Sequence, residues 1–416
     1  MQTFTLIFLI ALTITTLTQV WLAARHIRHI RAHQNTVPEQ FATKISLADH
    51  RKAADYTCAK TRVDYPDVLL HAALLLIFTV GGGLSALSSF WSSWLDDTLM
   101  HGMVLIASVV LILGIAAIPF RYYKTFVIEA RYGFNKMTPV MFVADLIKQA
   151  VLGLLLGAPL LLCVLWLMER MGEHWWLYAW FVWVIFNLFV VAVFPTWIAP
   201  LFNKFTPLED EPLKMRIEQL MAKCGFKASG LFVMDGSRRS NHGNAYFTGF
   251  GKNKRIVFFD TLLARLGPGE IEAVLAHELG HFKHRHVVKH IVVSFTMSLA
   301  FLWILGYLMQ QGWFYTGLGV QVAHVPSTAM ALLLFFLVMP VFTFLLHPLS
   351  SIYSRKHEFE ADAFAAQHAS ADELIQALVK LYQDNAATLT PDPLHSAFYD
   401  SHPPASIRVA HLQSQG

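Results

Sequence analysis

The chain has 416 residues, of which 55% are hydrophobic and only 14% are charged. Globular domains carry about 25% charged residues, so this composition argues against an ordinary water-soluble protein and is typical of a polytopic membrane protein. The formal net charge of +4 at pH 7 is too small to indicate a nucleic-acid partner. The three cysteines show no C-x-x-C spacing and indicate neither a disulfide framework nor a thiolate metal site.

Seven apolar stretches are long enough to cross a bilayer, which takes about 20 residues. The first lacks a basic region before its apolar run and a clear small-x-small cleavage site, so we expect a retained helix rather than a signal peptide. The pattern predicts an all-α polytopic membrane protein with seven transmembrane helices. The predicted spans are residues 3–24, 68–90, 99–119, 146–168, 175–198, 288–310 and 328–348.

Lysine and arginine are distributed unevenly among the loops, and this bias predicts the orientation of the chain. The loops 25–67 and 119–145 are rich in both residues, whereas 91–98 and 311–327 contain neither. We therefore expect the N-terminus to lie outside. The segments expected on the cytosolic side are 25–67, 119–145, 199–287 and 349–416.

The polar insert 199–287 is predicted to fold as a helix, a small β-sheet and a second helix. Strand-like runs occur at 230–234, 244–250 and 255–260, and a Gly-Pro-Gly break then starts the second helix. The predicted divisions of the chain are 1–198 with five transmembrane helices, 199–287 as the cytosolic insert, 288–348 with two further transmembrane helices, and 349–416 as a cytosolic C-terminal segment.

The second helix of the insert carries the motif His277-Glu278-Leu279-Gly280-His281. Positions i and i+4 share one helix face, so the imidazoles of His277 and His281 can bind the same metal ion. Glu278 lies about 100° further round the helix, beside that ion, where a general base is required. The motif therefore predicts a zinc peptidase site.

A catalytic zinc ion needs a third protein ligand, and the sequence offers Glu358 as the best candidate. Glu358 and Asp362 are four residues apart, so one carboxylate can bind metal while the other holds a ligand imidazole in its tautomer. His357 and His368 are weaker alternatives for the third ligand. The competing interpretation is an exposed acidic helix face at the membrane surface.

Three further histidines follow the motif, namely His284, His286 and His290. They allow a second metal site, because His286 and His290 are also spaced i, i+4. We expect instead solvated histidines at the membrane surface.

These residues predict metal-assisted peptide hydrolysis. Zinc lowers the pKa of a bound water to about 7. Glu278 takes the proton of that water and passes it to the leaving amine. The oxyanion needs a further stabilising group, for which His402 and Arg408 are candidates.

Several stretches accompany the H-E-L-G-H motif and together are specific. They are EARYGFNKMT (129–138), FPTWIAPLFNKFTP (194–207), SNHGNAYFTG (240–249), RIVFFDTL (255–262), SRKHEFEADAFA (354–365) and DPLHSAFYDSHPPASIR (392–408). With these stretches and its seven predicted spans, the chain resembles the type I CAAX prenyl protease family of integral-membrane zinc metallopeptidases. Its short terminal extensions suggest a bacterial member.

The resemblance implies a ring of seven tilted helices around a water-filled chamber, capped by a protease domain with one zinc ion per chain. It also implies a role for each residue of a site. The implied roles are zinc ligands for His277, His281 and Glu358, the catalytic base for Glu278, a carboxylate that supports a ligand for Asp362, a substrate-binding edge strand for Asn244, Ala245 and Tyr246, and groups near the scissile carbonyl for His402 and Arg408.

We thus expect an integral-membrane zinc metalloendopeptidase whose partners are a prenylated or membrane-associated peptide or protein and membrane lipid. In a bacterium it would lie in the inner membrane with its active site facing the cytosol. Bacteria generally lack prenylated CAAX proteins, so its substrate there would be different, for example damaged membrane proteins. Two alternatives stay open: a quality-control protease of the heat-shock type, against which the seven spans count, and a non-catalytic membrane binding protein.

Overall fold

The structure is a computed structural model that describes residues 2–226, 230–248, 255–321 and 327–415. Within these residues the chain is mostly helical. The helices are α1 (Thr3–His33), α2 (Leu47–Phe78), α3 (Gly83–Ser92), α4 (Thr98–Tyr123), α5 (Pro139–Arg170), α6 (Trp175–Val193), α7 (Glu211–Lys223), α8 (Asp260–Leu263), α9 (Pro268–Lys283), α10 (His286–Leu308), α11 (Gly312–Gly317), α12 (Thr328–Thr343), α13 (His347–His368), α14 (Ala371–Asp384), α15 (Pro393–Tyr399) and α16 (Ala405–Gln413).

Six helical segments of the described chain are long and apolar enough to cross a membrane. Helices α2 and α3 are bent by 54° at a short break, and if this pair counts as one span the number of spans rises to seven. Gly82 lies at that break with a left-handed φ of 76°, a conformation that glycine adopts without steric cost. The predicted span 68–90 is therefore bent in its middle. The predicted fold class, a polytopic helical membrane protein, is confirmed.

The membrane helices pack in a closed circuit. Each helix of the circuit contacts the next, in the order α1, α2, α4, α5, α6, α10, α12 and back to α1. In addition, α12 packs against α4 and α5, and the buried side chains there include Leu105, Leu165 and Leu334. The predicted ring of helices is thus present, and its helices share one apolar core.

A small mixed sheet lies in the polar insert, as the sequence predicts. Its strands are β1 (Phe205–Pro207), β2 (Gly230–Met234), β3 (Ala245–Thr248) and β4 (Arg255–Phe259), in the order β1-β2-β4-β3. The central pair β2 and β4 is parallel, and both outer strands run antiparallel to it. The end of the predicted run 244–250 lies beyond the described residues. The short strand β1, with only three residues, is not predicted by the sequence pattern.

The two polar segments, 199–287 and 349–416, share one hydrophobic core. Helix α9 lies at its centre and packs against α7, α13 and α14. Leu279 of α9 and Ala365 of α13 are both fully buried in this core. The C-terminal segment is therefore brought directly onto the helix that carries the H-E-L-G-H motif.

Candidate metal centre and active-site cleft

Helix α9 is held at its N-terminus by local and tertiary contacts. Pro268 occupies the first turn, where its missing N–H costs nothing. The Glu270 carboxylate accepts a hydrogen bond from the Gly267 N–H at 2.6 Å and pairs with Lys380 of α14 at 2.7 Å. These contacts fix the start of the helix, two to three turns before the histidines.

Helices α9 and α13 approach each other closely at Gly280. A Cβ atom added at Gly280 would lie only 2.9 Å from the Ala361 Cα, a distance that side chains do not tolerate. Close packing of the two helices therefore explains why glycine occupies this position of the motif. This close approach brings Glu358 and Asp362, on either side of Ala361, against the face that carries His277 and His281.

The three predicted metal ligands converge on one point. The His277 Nε2 atom lies 3.2 Å from the His281 Nε2 atom and 3.5 Å from Glu358 Oε2, and His281 Nε2 lies 3.3 Å from Glu358 Oε1. Ligand atoms at about 2.0–2.1 Å from a tetrahedral zinc ion are separated by about 3.3 Å. Glu358 Oε2 is buried and has no hydrogen-bond partner among the described residues. The donor set therefore fits a tetrahedral cation.

A buried carboxylate fixes the tautomer of His277. Asp362 is fully buried, and its Oδ1 lies 2.8 Å from His277 Nδ1. Because a carboxylate only accepts, the proton of His277 lies on Nδ1 and the Nε2 lone pair faces the other two ligands. Burial lowers the pKa of His277, but the neighbouring carboxylates of Asp362 and Glu358 outweigh this effect and raise the pKa to about 9. The site favours positive charge at this ring.

Arg408 lies behind the ligands. Its guanidinium donates to Asp362 Oδ2 at 2.9 Å and to Oδ1 at 2.5 Å, and its Nη1 lies 3.7 Å from Glu358 Oε2. The side chain is buried, yet it contributes to the wall of the cleft described below. Arg408 is thus placed to hold the carboxylates, and its Nη2 lies 3.4 Å from His277 Nδ1.

A cleft of about 740 Å³ borders this cluster, and His277 is the predicted ligand that lines it. Both Glu278 and His402 line it. The side chain of His402 is 62% exposed, and its Nε2 lies 3.4 Å from Glu358 Oε1. Glu278 is partly exposed, one position along from the buried His277. These two groups can therefore reach a molecule bound in the cleft.

Strand β3 forms an edge of the sheet beside this cleft. The Phe259 N–H donates to the Asn244 carbonyl at 2.9 Å, so the backbone groups of alternate residues, Ala245 and Phe247, point away from β4. Asn244 and Ala245 line the cleft, and the Asn244 Oδ1 accepts from the Ala245 N–H at 2.9 Å. The Tyr246 side chain instead packs edge-on against Phe259.

Two residues near the site are not expected from the sequence. His242 lines the far end of the cleft, with Nδ1 3.0 Å from Asn385 Oδ1 and Nε2 3.4 Å from Glu129 Oε2. Both His242 and Glu129 lie in the specific stretches that accompany the H-E-L-G-H motif, which is the signal that could have singled them out.

The prediction for His286 was wrong. This side chain is only 2% exposed and lies 3.0 Å from His281, whereas we expected a solvated histidine. Helical periodicity could not reveal the contact, because α9 ends before His286.

Known protein families match both the membrane helices and the polar segments of this chain. Residues 26–204 match the family described as CAAX prenyl protease N-terminal, five membrane helices, and residues 207–415 match Peptidase family M48. A CAAX prenyl protease 1 homolog of Arabidopsis thaliana is 36% identical over 400 residues, which are 91% of each chain. CAAX prenyl protease 1 of Saccharomyces cerevisiae is 35% identical over 71% of this chain and 68% of its own.

The solved structures agree with the sequence comparisons. The crystal structure of S. mikatae Ste24p superposes with a TM-score of 0.91 at 28% identity, covering 99% of both chains. The relatives named above are eukaryotic, so they give no support to the expected bacterial origin.

Proposed function

This chain belongs to peptidase family M48, with the N-terminal membrane domain of the CAAX prenyl proteases, and we propose that it cleaves prenylated peptides with a single zinc ion. The family membership confirms the predicted enzyme, an integral, multi-pass membrane metalloprotease that uses a metal cofactor and acts on a peptide or protein. What we add are the identity of the metal, the roles of the residues and the class of substrate.

The proposed zinc ligands are His277, His281 and Glu358. The observation that carries this assignment is the set of separations of 3.2, 3.3 and 3.5 Å between their donor atoms, at the wall of a cleft. Zinc held there supplies a Lewis acid and, at neutral pH, a nucleophilic water. We take the metallopeptidase unit to comprise 199–287 together with 349–416, which share one core.

The remaining residues of the site move protons and fix geometry. Glu278 is our general base, because it lines the cleft next to a ligand and can pass the proton on to the leaving amine. His402 is exposed to the cleft and can donate to the oxygen of the scissile carbonyl. Arg408 and Asp362 hold His277 in the tautomer that leaves Nε2 free.

The substrate is proposed to bind as an added strand along β3. The outward backbone groups of Ala245 and Phe247 are free of the ladder with β4, which is the arrangement that strand addition uses. The Asn244 side chain covers the Ala245 N–H and would turn away to bind the substrate. In this proposal Tyr246 contributes its position in the strand, and its ring packs against Phe259.

The prenylated class of substrate follows from the relatives, which are named as CAAX prenyl proteases. The bias of lysine and arginine supports an active site on the cytosolic side. The predicted ligand His281 lies five residues before α10, a candidate membrane span, and a site this near a span suits a substrate with a lipid anchor and a polar peptide end, with membrane lipid as a further partner.

The test compares a farnesylated CAAX peptide with its unprenylated twin, using detergent-purified protein with and without a zinc chelator. We expect chelator-sensitive cleavage that favours the prenylated peptide. Equal cleavage of both would contradict the prenyl preference but keep the protease. No cleavage of either by zinc-loaded protein would contradict the proposed substrate class.

A further inference from the structure

The end of the H-E-L-G-H helix has an unusual backbone. Helix α9 ends at Lys283 and α10 begins at His286, and Arg285 between them is left-handed, with φ 57° and ψ 34°. A residue other than glycine rarely adopts this conformation, and it persists where surrounding contacts fix it. The consequence is that His286 folds back onto the face of α9 that carries His281.

His286 connects a ligand imidazole to a carboxylate. Its Nδ1 lies 3.0 Å from His281 Nδ1, and its Nε2 lies 2.9 Å from Glu360 Oε2 of α13. Lys289 and Lys356 each place an ammonium group 4.0 Å from the Glu360 carboxylate, which favours its ionised form. The three side chains therefore form a continuous path of hydrogen bonds that ends on an anion.

The direction of these hydrogen bonds is determined by the carboxylate. Glu360 only accepts, so His286 carries its proton on Nε2 and presents the lone pair of Nδ1. That lone pair can only accept, so His281 carries its own proton on Nδ1. The Nε2 lone pair of His281 then faces His277 and Glu358, the two other ligands.

We propose that His286 and Glu360 form a positioning relay for His281, equivalent to the direct action of Asp362 on His277. Each ligand imidazole is then oriented by a carboxylate, which acts directly on His277 and through His286 on His281. Neither His286 nor Glu360 is a catalytic residue, because they act through His281. The inference rests on the proposed zinc site.

A purely structural role for His286 is the competing explanation. Its ring stacks on His357 with centroids 3.9 Å apart and on His284 with centroids 5.6 Å apart. A phenylalanine at position 286 keeps an aromatic ring in this stack but removes both hydrogen bonds. A glutamine keeps an acceptor for His281 without the ring.

The experiment measures how fast zinc passes from the purified full-length protein to a chelator, together with the visible absorption spectrum of the cobalt-substituted protein. The variants are His286→Phe and His286→Gln, with His357→Phe as the matched control, because His357 stacks on His286 and contacts His290 rather than a ligand. We expect His286→Phe to lose zinc about 10–100 times faster and to change the cobalt spectrum, because partners of metal ligands contribute this much to affinity. His286→Gln should recover part of the loss, and His357→Phe should stay within about twofold of the parent protein.

Zinc loss within about twofold of the parent in His286→Phe, with an unchanged cobalt spectrum, overturns the relay. If that variant does not fold, Glu360→Ala decides, because this side chain is 30% exposed and its truncation leaves the His stack intact. Glu360→Ala should also speed zinc loss, and an unchanged rate overturns the proposal.

Failure of the relay can be separated from failure of the zinc site itself. The parent protein should hold one zinc ion, and Glu358→Ala should lose it. A parent protein without zinc contradicts the proposed function. The relay alone is contradicted if the parent protein binds zinc tightly, Glu358→Ala loses it, and His286→Phe and Glu360→Ala keep it.

Discussion

Replacement of Asp362 by asparagine tests how the protein prepares His277 for a metal ion. The change keeps the size of the side chain but removes the charge that faces His277 Nδ1 and Arg408. The rise of the His277 pKa from 6.5 to about 9 corresponds to about 3 kcal/mol of added stabilisation of positive charge at the ring. Asp362 and Glu358 together outweigh the opposing effect of burial, and loss of the Asp362 charge should weaken zinc binding about 10–100-fold, the usual contribution of a partner of a metal ligand.

The loss in the variant should be at least tenfold. Asp362 Oδ1 accepts from both His277 and Arg408, and Oδ2 accepts from Arg408, so an asparagine with its single oxygen cannot satisfy all of these donors. Where its amide faces Nδ1, the proton of His277 moves to Nε2, the atom that must bind metal. Arg408 also keeps only a weaker, neutral partner, which we expect to destabilise the fold by about 2 kcal/mol.

The assay measures zinc affinity by competition with a chelator at about pH 9, where a proton on His277 competes only weakly with the metal. The matched control is Asp384→Asn, which weakens an ion pair with Arg265 at 3.6 Å whose side chains are 30% and 33% exposed. The control should keep its zinc affinity and lose less than about 1 kcal/mol of stability. Zinc affinity of Asp362→Asn within twofold of the parent would refute the assigned role.

Three further predictions concern the packing at Gly280 and the protonation of His277. Gly280→Ala places a Cβ atom 2.9 Å from the Ala361 Cα and should push α9 and α13 apart. We expect lower zinc affinity and a free energy of unfolding reduced by about 1–3 kcal/mol, measured by thermal unfolding. The control is Gly153→Ala, whose added Cβ has no heavy atom within 4 Å, and equal behaviour of the two variants would contradict the packing argument. Because the pKa of His277 is raised to about 9, its proton is bound at lower pH and competes with zinc, so zinc affinity should rise with pH up to about 9; a flat profile would contradict this. The same raised pKa stabilises the metal-free fold below pH 6.5, and this contribution should be lost as pH rises through about 9.

Local patterns of the sequence are enough to predict much of the site. Residues four apart on one helix share a face, so the spacing alone places His277 with His281, and Glu358 with Asp362, on common faces. The strands β2 and β4 are predicted at 230–234 and 255–260 because short apolar runs between turn residues are typical of strands. The seven apolar stretches likewise predict a membrane protein.

Contacts that depend on a change of backbone direction are not predictable in this way. The left-handed Arg285 turns His286 back onto His281, and no helical period extends across that break. For the same reason the sequence does not link Glu360, which points away from Glu358 on its helix, to the metal centre. Nor does it predict the bend at Gly82, because composition measures the length of a span and not its straightness. Strand β1 is not predicted, because its three residues form a strand only by pairing with β2.

The central claim is that the chain is a metal-dependent protease in which Glu278 moves the proton. The most direct test is to measure zinc content and cleavage of the farnesylated peptide by Glu278→Gln beside the parent protein. We predict one zinc ion in each, the same unfolding temperature, and hydrolysis reduced by about 10²-fold or more in the variant. Parental activity in Glu278→Gln with zinc bound would contradict the account.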